Sequence, residues 1–221
     1  MSTNLNQQLQ VPPTPDIGSA PQGYDRGFVD QSNGVLRTFF IRLTGALQAL
    51  LSPQGGRHLN IPYGAFQDLT DQSATANTAT AMTFNTTDFS NGIRLGKTGS
   101  PSTSKIYVDY DGLYNLQWSG QFQNTDTQLH DASVWVRKNG VDIAGTTGYV
   151  SVPNSHGGVD GHGIDAWNYF IEMAAGDYVE LWWSTTNTAI TLQTYPAGVT
   201  PTRPTTASIV ATMTFVSNRS A

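Results

Sequence analysis

The clearest pattern in the chain is strict alternation of apolar and polar residues. It is sharpest in Tyr114-Asn-Leu116-Gln-Trp118-Ser-Gly120-Gln-Phe122, where every second position is apolar or Gly. Period two places those residues on one face of a β-strand. The same pattern recurs at Val134 and Val136, at Val179, Leu181 and Trp183, at Ile190 and Leu192, and at Ile209, Ala211, Met213 and Phe215. Turn signals separate these runs: Asp111-Gly112, Asn139-Gly140, Ala175-Gly176-Asp177 and Pro196-Ala197-Gly198. Asn-Gly between alternating runs predicts a tight hairpin. Eight to ten strands follow, and no helical stretch among them is long enough for a parallel crossover. Residues 61 to 221 therefore read as an all-β, antiparallel sandwich.

The period changes upstream. Leu36, Phe40, Leu43, Leu47 and Leu50 follow at spacings of four, three, four and three. That spacing predicts a short α-helix over 32 to 52 with a heptad seam. Ser32 or Asn33 is the expected N-cap, Ser52-Pro53-Gln54-Gly55-Gly56 the stop signal, and residues 32 to 60 form helix and linker together. So short a helix needs a neighbour. Two neighbours fit: the chain's own β domain, or further copies of the helix in a bundle. Residues 1 to 31 are polar and Pro-rich, which predicts an extended arm. Tyr24, Phe28 and Val29 are out of place in a pure spacer, so the arm reads either as a flexible leader or as an anchor that orders on a partner.

Composition narrows the function. Of 221 residues 12% are charged, about half the usual ~25%, and the net charge is −5. Such a chain lacks the basic footprint of a nucleic-acid binder. The absence of Cys removes disulfides, thiol nucleophiles and Cys-zinc sites. The N-terminus has neither the basic nor the apolar region of a secretory signal. Val35 to Leu51 is too short and too charged to span a bilayer, so neither export nor membrane insertion is expected.

No catalytic constellation stands out, and no cofactor is expected. Asp109 with Asp111, and Asp68 with Asp71, read as turn carboxylates rather than a glycosidase pair. The most site-like segment is Ser155 to Asp165, with His156, Asp160, His162 and Asp165 among four glycines. Two imidazoles and two carboxylates are metal-ligand types, but glycine-rich spacing imposes no bite, and a long surface or intersubunit loop is the plainer expectation. Trp135, Tyr178 and Trp182 fall on the opposite face of their strands from the aliphatic residues. Aromatics on both faces imply more apolar surface than one core absorbs, and hence association.

The β region also resembles a known family. Asp111-Gly112-Leu113-Tyr114-Asn115-Leu116, Val136-Arg137-Lys138-Asn139-Gly140, Met173 to Leu181 and the terminal run Ser208 to Val216 are similar, in that order, to strands of the trimeric jelly roll shared by tumour necrosis factor ligands and C1q globular heads. The collagen-like stalk of C1q is missing. The stretches AMTFNTTDFSNGI, QFQNTDTQLHDASVWVRKNG and GTTGYVSVPNSHGGVDGH, and the terminal run beginning VELWWSTTNTAITLQTYPAGVT, resemble structural proteins of tailed phages from aquatic bacteria (cyanophage-like appendage or decoration proteins). YDRGFVDQSNGVLRTFFIRLTGALQALL is similar to N-terminal anchors of phage appendage proteins. The resemblance implies a non-enzymatic homotrimer in a virion, assembled in the host cytoplasm and fixed to capsid or tail by its arm and helix. A receptor-binding head that grips host surface glycan is the alternative, with Trp167 and Tyr195 as aromatic contacts at strand ends.

Overall fold

The computed structural model describes residues 12–19, 21–51, 61–97, 99 and 103–217, with only the backbone of 48–51. The chain divides into two compact units, up to Ile61 and from Pro62 onward.

In the first unit, helix α1 runs over Arg26–Leu51 and is about 39 Å long at 1.5 Å per residue. It begins six residues before the expected start. The reason is Asp25, whose Oδ1 accepts the backbone N–H groups of Gly27 (2.8 Å) and Phe28 (3.2 Å). This is an N-cap, and Arg26 and Asp30 add an i,i+4 ion pair over the first turn. Ser32 and Asn33 are thus interior to the helix. The arm is correspondingly shorter: Phe28 and Val29 belong to the first turns of α1, and Tyr24 stands just before the cap, 87% exposed. The stop signal at 52–56 lies outside the described residues. Pro12 to Asp16 run along one flank of α1, forming a groove with Val35, Thr38, Phe39 and Arg42. No described side chain of α1 is buried.

The described residues of the second unit form sixteen strands: β1 (Tyr63–Asp68), β2 (Gln72–Ser73), β3 (Thr80–Ala81), β4 (Thr86–Asn91), β5 (Ile93–Leu95), β6 (Ile106–Val108), β7 (Gly112–Asn124), β8 (His130–Lys138), β9 (Val141–Asp142), β10 (Gly148–Val152), β11 (Gly161–Met173), β12 (Tyr178–Thr185), β13 (Ile190–Leu192), β14 (Gly198–Val199), β15 (Thr202–Arg203) and β16 (Ile209–Ser217). They form an all-β sandwich. The first sheet has the order β2-β13-β7-β16-β1-β4, with β11 on the other side of β7. The second has the order β10-β8-β12-β6-β5, with β3 on β12 and β9 on β8. β14 and β15 make a separate ribbon. The paired strands are antiparallel. β8 and β9 are joined by the expected hairpin, with Asn139 at φ 50° and Gly140 at φ 82°, the left-handed pair of a type I′ turn.

The alternation in β7 translates directly into packing. Its even-numbered residues, from Gly112 to Asn124, are buried, and its odd-numbered ones face outward. Tyr114, Leu116 and Phe122 meet Leu181 and Trp183 of the second sheet in one core, where Phe122 and Trp183 pack edge to face with centroids 5.9 Å apart. The buried Asp68 closes the end of β1. It accepts Thr70 N–H (2.8 Å), Thr70 Oγ1 (2.6 Å), Thr83 Oγ1 (2.9 Å) and Asn85 Nδ2 (2.7 Å). Four donors satisfy a carboxylate that would otherwise be costly to bury.

The segment expected as a long loop is a tight turn followed by the start of β11. His156 and Val159 exchange backbone hydrogen bonds (2.8 and 3.1 Å) around Gly157 and Gly158, both at positive φ, and β11 starts at Gly161. At Gly161 the chain passes so close to the turn that a Cβ would lie 1.7 Å from the carbonyl oxygen of Pro153. Gly161→Ala should therefore destabilise the β domain by about 3 kcal/mol, the upper range for overpacking, read as a lowered denaturant midpoint. Gly163→Ala, where the nearest atom would be 4.0 Å away, should cost much less.

Candidate functional site

The two outer faces of the sandwich differ in chemistry. On the second sheet, Trp135 and Trp182 are direct cross-strand partners. The Arg137 guanidinium stacks over Trp182 at 3.8 Å. Asp142 Oδ1 accepts both Arg137 Nε (2.7 Å) and Trp135 Nε1 (2.8 Å), and these bonds, Arg137's first, hold its carboxyl below the usual carboxylate range. Lys105 lies 4.7 Å from the Tyr178 ring, Lys97 lies 5.5 Å from Tyr107, and Ser104 donates to Glu180. Of the aromatics that the sequence presents as surplus apolar surface, Tyr178 and Trp182 are thus capped by cations and Trp135 is bound by a carboxylate. This face is dressed for water.

The first sheet is different. Antiparallel register sets Ala166, Ser119 and Val210 in one outward row, Asn168, Gln117 and Thr212 in the next, and Phe170, Asn115 and Thr214 in a third. From Ile164 to Phe170 on β11, across β7 from Asn115 to Gln121, and from Val210 to Thr214 on β16, no outward residue is charged. Ile164 is 70% exposed and Phe170 62%. Tyr63, Phe89, Val210 and Val216, on β1, β4 and β16, are also exposed. A shallow depression of about 590 Å³ lies over the short side chains of Ser119 and Ala166, lined by Gln117, Asn168, Val210 and Thr212. This stretch is thus an uncharged face with large aliphatic and aromatic groups around a small-residue centre. β10 and β11, which end the two sheets on the same side of the sandwich, contribute neighbouring edges with no further strand paired to them among the described residues.

The sequence candidates are placed as follows. Leu36 and Leu43 are half-buried on α1 and Phe40 and Leu47 exposed; the Leu50 side chain lies outside the described residues. Trp167 is in the middle of β11 rather than at a strand end. It belongs to the inward-facing set, with its ring edge against Gly148 of β10, its plane 7° from that of Tyr169, and half its surface exposed. Tyr195 is elsewhere, with its hydroxyl 2.9 Å from His162 Nδ1 on the outward side of β11. The structure does not join Trp167 and Tyr195 in one site.

The four candidate ligands in 155–165 also diverge. His162 bonds Tyr195, Asp160 accepts Gln123, Asp165 points inward, and His156 is held by its backbone in the turn. Among the described residues, no three or more His, Cys, Asp or Glu converge in a metal-binding group. The acidic pairs are likewise engaged separately. Asp109 is bound by Arg94, and Asp111 accepts the Ala175 N–H (2.6 Å). Asp71 accepts Gln193 Nε2, Thr194 N–H and Thr194 Oγ1, all at 2.8 Å, and the Thr194 backbone bond leads in lowering its carboxyl.

Sequence reasoning puts Asp165 in a surface or intersubunit loop and misses its position in a strand. It sits on the inward side of edge strand β11, opposite Gly120. Its Oδ2 is buried with no hydrogen-bond partner among the described residues. Burial pushes its carboxyl above the usual range, opposed by the Ala166 N–H.

No protein-family model matches the chain, and no curated protein is significantly similar to it. Among the described residues no helix is long and apolar enough to cross a membrane.

Asp165 yields a signed prediction. A carboxyl whose folded-state pKa is raised destabilises the fold at pH values above that pKa, and the penalty fades as pH falls through it. Asp165→Asn should therefore raise Tm at pH 7, with the difference from wild type shrinking toward pH 4. A difference independent of pH would mean that the charge is not what burial opposes.

Proposed function

We propose that the protein is a structural, non-enzymatic subunit that assembles as a homotrimer and is carried on a larger particle, a tailed-phage virion, through its N-terminal arm and helix. The observation that carries the self-association is the uncharged centre of the first sheet's outer face, from Ile164 to Phe170 on β11 and across β7 and β16, set against the second sheet, where cations lie over Tyr178 and Trp182. Charge depletion at the centre of a patch marks surfaces that become buried. An uncharged face on one side of the subunit and the neighbouring edges of β10 and β11 on another fit a face-to-edge contact between copies. Such a heterologous contact ends in a ring when its rotation closes.

Strand order supports three copies. Successive long strands change sheet from β6 to β7, from β7 to β8, from β10 to β11, from β11 to β12 and from β12 to β13. This exchange between sheets is the habit of jelly rolls, and the family that the motifs around Tyr114, Asn139 and Gly176 resemble is trimeric. The phage setting rests on the resemblance of 24–51 and of the β stretches to virion appendage proteins. It covers capsid and tail attachment alike, with assembly in the host cytoplasm. Three arms on one trimer raise the effective concentration at the anchoring site, so each arm needs only a weak contact.

The half-exposed Trp167, coplanar with Tyr169, favours a second reading in which the head grips host glycan by ring stacking. Loss of binding to host polysaccharide in Trp167→Ala, with folding intact, is its expected signature.

Sedimentation equilibrium at micromolar concentration tests the main reading. The wild-type chain should show three times its 23.8 kDa mass. Phe170→Asp combined with Val210→Asp should raise the dissociation constant roughly a hundredfold or more, because each new carboxylate would lose its water in the interface. A wild-type chain that stays at one mass refutes the trimer. Removing residues 1 to 22, which precede the Asp25 cap, should leave the oligomer intact and abolish its incorporation into particles seen by electron microscopy.

A further inference from the structure

We infer that α1 forms a parallel, in-register coiled coil with the same helix of other copies, and that Asn33 is the buried polar layer that sets its register. This inference takes the homotrimer of the preceding reading as its setting and names a second contact within it.

A seam read from Leu36 omits its first layers. With the helix starting at Arg26, Val29, Leu36, Leu43 and Leu50 recur every seven residues, and Asn33, Phe40 and Leu47 recur every seven between them. These are alternate core positions of one heptad repeat over three heptads. On that line Val29 is 39% exposed, Phe40 56% and Leu47 47%, while Leu36 and Leu43 are half-buried. The Pro12–Asp16 segment lies on the adjacent flank, against Val35, Thr38 and Phe39. Asp30, Arg37 and Arg42 fall off the seam, whereas Arg26, the first residue of the helix, stands one heptad before Asn33 on the seam line and pairs with Asp30.

Two arguments make the occupant a copy of this chain. A helix that supercoils along a seven-residue repeat needs a partner with the same repeat, and α1 carries it. Asn33 then decides the orientation. An amide in an apolar seam needs both a donor and an acceptor, and a parallel copy in register places Asn33 beside Asn33, each supplying what the other lacks. An antiparallel copy or a slipped register sets the amide against aliphatic side chains and leaves it unsatisfied.

The Cys-free chain allows a direct test. Single cysteines are introduced into the full-length protein as Asn33→Cys, Leu43→Cys and, on the opposite side of the helix, Ile41→Cys. Disulfide-linked pairs under mild oxidation are then timed on non-reducing gels. Cysteines at 33 and 43 should link at least tenfold faster than the one at 41. Equal rates at all three positions, or linkage at 43 without linkage at 33, would overturn the parallel register. Sedimentation of the unmodified chain separates this from the trimer itself. A trimer whose cysteines at 33 and 43 fail to join removes the coiled coil and leaves the trimer, whereas a wild-type chain of one mass removes both.

Discussion

The β domain depends on the two-residue period of β7. This strand pairs with β11 along all its 13 residues, and on its other side with β16 and then β13. Each of its residues therefore has a fixed consequence on one face or the other. A slip of one residue would turn Tyr114, Leu116 and Phe122 to the outside and bring Asn115, Gln117 and Gln121 into the core. Burial of the large side chains rules this out. Because β7 sets the register of both neighbours, it also aligns Ser119 with Ala166 and Val210, and Asn115 with Phe170 and Thr214. The core and the uncharged outer face are two results of one register.

The same logic explains why the outer faces differ although both carry aromatics. On the second sheet, Trp135 and Trp182 meet at a position where Arg137 and Asp142 can complete them, the guanidinium over one indole and the carboxylate on the other. Such an arrangement is finished within one subunit. On the first sheet, the cross-strand neighbours of Ile164 and Phe170 are amides and a hydroxyl, with His162 and Glu172 next to them along β11. Nothing within the described subunit completes them, and a neighbouring surface of like character is the economical partner. Counting aromatic residues does not separate these cases; the identity of the cross-strand neighbour does.

This contrast accounts for what could be read in advance. β7, β12 and β16 are legible because their inward residues are apolar, and the β8–β9 hairpin because Asn139-Gly140 suits a left-handed turn. β11 is not, because its inward positions begin Gly161, Gly163, Asp165 while its outward ones include Ile164 and Phe170. The Pro153 turn leaves no room for a side chain at Gly161, and Gly163 and Asp165 take the next two inward places, so the alternation is lost at the start of the strand. The helix start was obscured in a related way. Ser32 and Asn33 are good caps by type, but Asp25 has its carboxylate over free N–H groups, and Gly27 and Gly34 do not break the helix. Trp135 and Trp182 mislead as surplus apolar surface because Asp142 and Arg137 lie on the same face only through the hairpin register. The separation of Trp167 from Tyr195 depends on a strand boundary that the glycines conceal.

The short helix and the uncharged sheet face gain their importance from being on one chain. A three-heptad seam containing an asparagine is weak by itself, since that layer gives up apolar burial for specificity. A β face of amides and hydroxyls with a few large apolar groups is also weak per unit area. Once one contact forms, however, the second becomes an association at the effective concentration set by the linker, and two marginal contacts give a stable assembly. They also divide the labour. In the proposed assembly the sheet contact, with its directional face and edge, would set how many copies close the ring, and the Asn33 layer would make their N-termini leave in the same direction. An assembly anchored through its arms needs both, because arms emerging in opposite directions could not reach one surface together.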